Sequence, residues 1–236
     1  MRFSAAPVCS ACLHSPAPLL EDHSCDLCGL PFEDAAALQG TKRCGACLAE
    51  PPLFDRARGF GVHEGALRRL IHLLKYDRMR PLAKPLAGMM AAPLASLPAP
   101  DLVVPVPLYR ARRWRRGFNQ ALALSEELGR QAGVRCEPRV LRRIRATQPQ
   151  AGLSYAERKQ NVANAFVVRE RGLVEGRTVL VIDDVMTTGA TLDACARALK
   201  KAGARSVLAL TAARAKRRIL PVYVAGAQHA KARAAT

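Results

Sequence analysis

The stretch Val179–Leu192, VLVIDDVMTTGATL, decides how the rest of the chain is read. It opens as a buried strand and closes as a loop of small hydroxyl residues. Between the two stand adjacent aspartates, Asp183 and Asp184. Neighbouring carboxylates repel, and burying them without partners is costly. A polyhydroxyl ligand, a metal or a cation would settle such a pair. In open α/β sheets, ligands sit at the C-terminal ends of the strands, where these aspartates fall. The loop MTTGAT then offers backbone N–H groups, the hydroxyls of Thr187, Thr188 and Thr191, and Gly189 for a tight turn. The next helix starts there, so its positive end points into the loop. That is an anion cradle suited to phosphate. No G-K-[ST] and no G-x-G-x-x-G follows, which excludes a Walker A loop and a dinucleotide fingerprint.

The same pattern extends outward. RTVLVI, Arg177 to Ile182, reads as a strand, TLDACARALKKAG as a helix and SVLALTA as the next strand. Strand–helix–strand over this length implies a right-handed parallel crossover. Upstream, Leu102–Val106 reads as a short strand, and NQALALSEELGRQAG as a helix ending near Gly133 that Asn119 could cap. Leu67, Leu70, Ile71 and Leu74 share one helical face, and Lys84–Leu97 reads as a helix with a proline-rich exit. GFGVHEG, Gly59 to Gly65, has the wrong spacing for a nucleotide loop and reads as an edge strand or turn. The expected fold is therefore α/β, an open parallel sheet over residues 53–213. A small cysteine-rich module, 1–52, precedes it. A basic, alanine-rich tail follows, 214–236, in which ILPVYVAG could form an edge strand.

The chain has 236 residues, half of them hydrophobic, and a formal net charge of +18. Such an excess suits a polyanion partner, or else a solvated basic surface. MRFSAAPVC lacks the apolar core of a signal peptide. The most apolar window, Pro85–Pro100, is broken by Pro93 and Pro98, which argues against a membrane span. A cytoplasmic location with reduced thiols is expected.

Among the 8 cysteines, Cys25-x-x-Cys28 and Cys44-x-x-Cys47 have the spacing of a two-knuckle zinc ribbon. Cys9 and Cys12 form a third pair. Two thiols do not make a four-ligand site, so a second site would need His14 or His23, or a second molecule.

A phosphate cradle beside a carboxylate pair describes a site for ribose 5-phosphate. Apolar residues, Asp183-Asp184, another apolar residue, then Thr-Thr-Gly-x-Thr resembles the signature of type I phosphoribosyltransferases, which bind 5-phosphoribosyl 1-pyrophosphate (PRPP). VPVPLYRARRWRRGFNQ, Val104 to Gln120, and RATQPQAGLSYAERKQNVANAF, Arg145 to Phe166, are similar to the ComF family. That family joins a phosphoribosyltransferase-like domain to an N-terminal zinc module. The resemblance runs from about Cys9 to Thr211 and assigns roles. Thr187, Thr188, Gly189, Ala190 and Thr191 would hold the 5-phosphate, and Asp183 and Asp184 the ribose. The turn Pro107, Leu108, Tyr109 and Arg110 would meet the pyrophosphate with Mg²⁺. Segment 145–166 would close over the substrate, bringing Arg158 to the pyrophosphate. Zinc would be structural.

The family also implies natural competence, with single-stranded DNA, a competence helicase or DNA-processing proteins as partners. Arg112, Arg113, Trp114, Arg115 and Arg116 have the composition of a single-strand surface, where bases stack and phosphates pair. A solvated helix face is the plainer alternative. Two readings therefore stand. One is an enzyme that transfers phosphoribosyl to a nitrogen acceptor. The other is a DNA-handling protein with a regulatory or vestigial PRPP site.

Overall fold

A computed structural model describes residues 8–32, 42–109, 117–146 and 155–216. Helix α1, Ser10–His14, and helix α2, Gly45–Ala49, belong to the cysteine-rich segment. Then come strand β1 (Arg56–Val62), helices α3 (Gly65–Tyr76) and α4 (Ala83–Ala95), and strand β2 (Leu102–Pro105). Helix α5 (Gln120–Ala132), strand β3 (Leu141–Arg143), helix α6 (Tyr155–Val162) and strand β4 (Phe166–Val168) follow. Strand β5 (Thr178–Met186), helix α7 (Ala190–Lys201) and strand β6 (Ser206–Arg214) end the described chain.

Four strands form one parallel sheet in the order β1-β6-β5-β2. Parallel strands are covered on both faces, so they read as near-continuous apolar runs. Side chains alternate along each strand, and this divides the core in two. Leu180 and Ile182 of β5 pack with Leu70, Leu74, Leu86 and Leu124 from α3, α4 and α5. Val179 and Val181 pack with Leu192, Cys195 and Leu199 of α7 and with the cysteines of the N-terminal segment. GFGVHEG contributes the end of edge strand β1, as its reading allowed. Asn119 caps α5 by accepting the Ala121 N–H at 3.0 Å, and Gly133 ends it in the left-handed conformation.

Three features depart from the sequence reading. Strand β5 does not stop at Ile182, because its ladder with β6 continues through Asp183↔Thr211, Val185↔Ala213 and Met186↔Arg214. Arg214, read as the start of the tail, is the last residue of β6. The segment 145–166, read as a loop, contains α6 and is bracketed by the antiparallel pair β3 and β4. ILPVYVAG lies outside the described residues. No described helix is long and apolar enough to cross a membrane.

The cysteine segment is docked on edge strand β1. The Ala57 N–H donates to Leu27 O at 2.8 Å, and Arg58 Nη1 donates to Asp26 O at 2.9 Å. Gly29, at φ +62°, lies where a Cβ would stand 2.9 Å from the Ala57 carbonyl oxygen. Only glycine meets both demands. Gly29→Ala is expected to lower stability by about 1–3 kcal/mol, read from the urea midpoint of the metal-loaded protein.

Candidate phosphate and carboxylate site

Because β5 still alternates at Asp183 and Asp184, the two carboxylates leave opposite faces of the strand. Asp184 is buried on the face that carries α3. Its Oδ2 receives Lys75 Nζ at 2.8 Å, and its Oδ1 accepts the Val185 N–H at 2.9 Å. The cation that settles this carboxylate is therefore within the chain. Lys75 is in the last turn of α3, next to the buried Leu74, and the sequence reading did not select it. An isolated basic residue on an amphipathic helix gives no local sign of a partner so distant in sequence.

Asp183 is half-buried and faces the side of α7. Its Oδ1 accepts the Asp184 N–H at 2.9 Å. Burial, and then the neighbouring Asp184 charge, push its carboxyl up to about 7, against the opposing pull of Lys75. This is a carboxylate short of positive charge, suited to hydroxyl donors or a cation. His63 follows β1 and feels both Asp184 and Lys75, while burial holds its imidazole below the ordinary range.

The loop after β5 turns at Gly189, whose φ is +84°. The Thr188 hydroxyl accepts the Ala190 N–H at 3.3 Å and so shapes the first turn of α7. Strand β2 lies beside β5, and the Val106 N–H donates to Ile182 O at 2.9 Å. Pro107, Leu108 and Tyr109 thus leave the sheet next to the aspartates. Asn119 Nδ2 donates to Val106 O at 3.0 Å and ties the start of α5 to the base of this segment.

Arg110, Arg112, Arg113, Trp114, Arg115 and Arg116 lie outside the described residues, as does the Arg158 side chain. Just after them, Arg80 stacks over Phe118 at 5.7 Å, and Arg78 lies beside Gly117. The connection between α3 and α4 thus adds two arginines at the exit of the arginine stretch. Their charge was legible in the sequence, but their proximity to this stretch was not.

Cys25, Cys28, Cys44 and Cys47 are buried with sulfurs all within 4.8 Å of one another. Cys28 and Cys44 Sγ are 3.7 Å apart. A tetrahedron with ~2.3 Å zinc–sulfur bonds has edges of ~3.8 Å, so the four thiols fit a structural metal such as zinc. The Cys44 N–H donates to Cys25 Sγ at 3.3 Å, as a thiolate ligand requires. The thiol contacts depress Cys25, chiefly through Cys28, and raise Cys47, chiefly through Cys25. Four thiols so close cannot all ionise without a cation. Cys9 and Cys12 are exposed, and among the described residues no third ligand joins them.

Two outcomes follow from the aspartates. Lys75→Met removes the cation held against the buried Asp184 carboxylate, and should cost about 3 kcal/mol. Adding Asp184→Asn should restore most of that loss, since removing both charges is far milder than removing one. Denaturant unfolding of both variants reads this. Asp183 has a folded pKa above its unfolded value. Its contribution to stability is therefore complete below about pH 4 and is lost as pH rises through about 7. Relative to the unmutated protein, Asp183→Asn should become progressively more stable across that window.

The phosphoribosyl transferase domain family matches residues 115–225. DNA utilization protein YhgH of Escherichia coli strain K12 is 36% identical over 206 residues, which span 85% of this chain and 87% of that protein. Competence protein F of Haemophilus influenzae is 33% identical over 198 residues, 81% of this chain and 84% of that one. Competence protein ComFC of Bacillus subtilis is 26% identical over 211 residues, 86% and 82% of the two chains. A phosphoribosyl transferase domain on a parallel sheet, a four-cysteine cluster docked on that sheet and these relatives agree, and the chain belongs to the ComF family.

Proposed function

We propose that the chain binds PRPP at the C-terminal ends of β5 and β2 and transfers its phosphoribosyl group to a nitrogen acceptor. The observation that carries this reading is the adjacency of three elements: the aspartates, the Thr187–Thr191 loop and the Pro107–Tyr109 segment beside them. Backbone N–H groups and hydroxyls of Thr187–Thr191, with the N-terminus of α7, hold the 5-phosphate. The aspartates accept the ribose hydroxyls, and those donors relieve the raised Asp183 carboxylate. Lys75 holds the Asp184 carboxylate in place.

Pro107, Leu108, Tyr109 and Arg110 face the pyrophosphate. Mg²⁺ bound with it neutralises part of its charge. The bond from C1 to pyrophosphate breaks with its electron pair leaving on oxygen, through an oxocarbenium-like state. The acceptor nitrogen then bonds to C1 and loses its proton. Arg158, on α6, and the arginines after Tyr109 stabilise the departing charge.

A second reading is favoured by the charge of +18 and by relatives named for DNA utilization and competence. In it the basic surface holds single-stranded DNA, with Arg112, Arg113, Trp114, Arg115 and Arg116 at its centre, and a competence helicase or DNA-processing proteins act alongside. The PRPP site then regulates this surface or is a relic.

Calorimetry separates the two. PRPP with Mg²⁺ should bind the unmutated protein, and Asp183→Asn/Asp184→Asn should weaken that binding at least tenfold, about 1.4 kcal/mol. Absence of PRPP binding, together with strand affinity that falls steeply with salt and is lost when Arg112, Arg113 and Arg115 become Ala, would favour the second reading.

A further inference from the structure

Among the described residues Arg214 is the largest fully buried side chain, 2% exposed, at the end of β6. A guanidinium stays charged at any ordinary pH, so burial demands acceptors on every side. Its Nε donates to Cys28 O at 3.2 Å, and its Nη2 points at Cys28 Sγ at 3.8 Å. Nη1 donates to Met186 O at 3.0 Å, to Thr187 O and to Ala215 O at 3.3 Å. Among the described residues no carboxylate joins these partners. One guanidinium therefore bridges the cysteine cluster and the base of the Thr187–Thr191 loop. Beside it, a cleft is lined by Cys28, Cys44 and Cys47 together with Thr188, Gly189 and Ala190.

We infer that Arg214 is a positioning residue that couples the two sites, so that metal at the cysteines and phosphate at the loop favour each other. This rests on reading zinc at the cysteines and phosphate at the loop. Two arguments carry it. Four thiolates around a divalent zinc leave a net charge of −2, which is the counter-charge a buried guanidinium otherwise lacks here. Metal loading thereby fixes the guanidinium. In a trans peptide the C=O and the next N–H point in opposite directions. Arg214 holds the carbonyls of Met186 and Thr187, and so turns the N–H groups of Thr187 and Thr188 away from itself. Those N–H groups belong to the proposed phosphate cradle. Coupling through a shared element is reciprocal.

The test compares the full-length, zinc-loaded protein with Arg214→Lys, which keeps the charge but cannot fork. Both should hold one zinc at Cys25, Cys28, Cys44 and Cys47. In Arg214→Lys, zinc should pass to a chelator about tenfold faster, the lower end for loss of a partner of a metal ligand. The amides of 187–191 should also exchange faster while zinc remains bound. In the unmutated protein, saturating PRPP with Mg²⁺ should slow zinc release about fivefold, at the low end of ordinary coupling, and should leave the variant unchanged. Wild-type zinc release and loop exchange in Arg214→Lys overturn the inference, and so does a change at one site only. If PRPP does not bind, zinc release and loop exchange still decide the coupling, and the phosphate reading alone falls. Should Arg214→Lys not fold, stripping zinc from the unmutated protein must speed exchange at 187–191, and no change there overturns the inference.

Discussion

A strand sends consecutive side chains to opposite faces, and in β5 that constraint separates Asp183 from Asp184. Asp184 enters the face covered by α3 and is settled there by Lys75 at 2.8 Å. Asp183 lies on the other face, where burial and then the neighbouring Asp184 charge push its carboxyl up to about 7. One acidic dipeptide thus places a carboxylate on each face of β5, one of them held by Lys75. The parallel sheet sets the end of β2 beside Ile182 of β5, so Pro107–Tyr109 leaves the sheet next to the carboxylates that the Thr187–Thr191 loop follows.

The cysteine cluster is not a detached module in this arrangement. Its first knuckle hydrogen-bonds to β1, its sulfurs lie in the same core as α7, and Arg214 joins it to the Met186 and Thr187 carbonyls. A metal there would have two effects. It would hold together a segment with little core of its own, and with its four thiolates it would set a negative charge beside Arg214.

Much of this was legible in the sequence, and for identifiable reasons. Val179–Ile182 and Ser206–Thr211 are apolar runs between a helix of clear period, so the parallel crossover could be read directly. Cys25, Cys28, Cys44 and Cys47 declared their cluster by spacing. Gly189 declared the tight turn that opens α7, and its φ is +84°. Three things stayed hidden. Strands β3 and β4, three residues each, are too short to carry alternation. Lys75 reads as one more surface charge on α3, because its partner lies far along the chain. Arg214 opens a run of basic residues that looks like a tail, yet the β6 ladder continues to it and buries it. Charge in a sequence names a solvated surface by default, and only tertiary placement reveals the exceptions.

The central claim is that this edge of the sheet is a ribose 5-phosphate site. The most direct measurement is a crystal structure of the zinc-loaded protein with PRPP and Mg²⁺. The account predicts the 5-phosphate on the amides of Thr187–Thr191, ribose hydroxyls on the Asp183 and Asp184 carboxylates, and pyrophosphate beside Pro107–Tyr109. PRPP bound elsewhere, with Asp183 and the loop left without ligand, would contradict it.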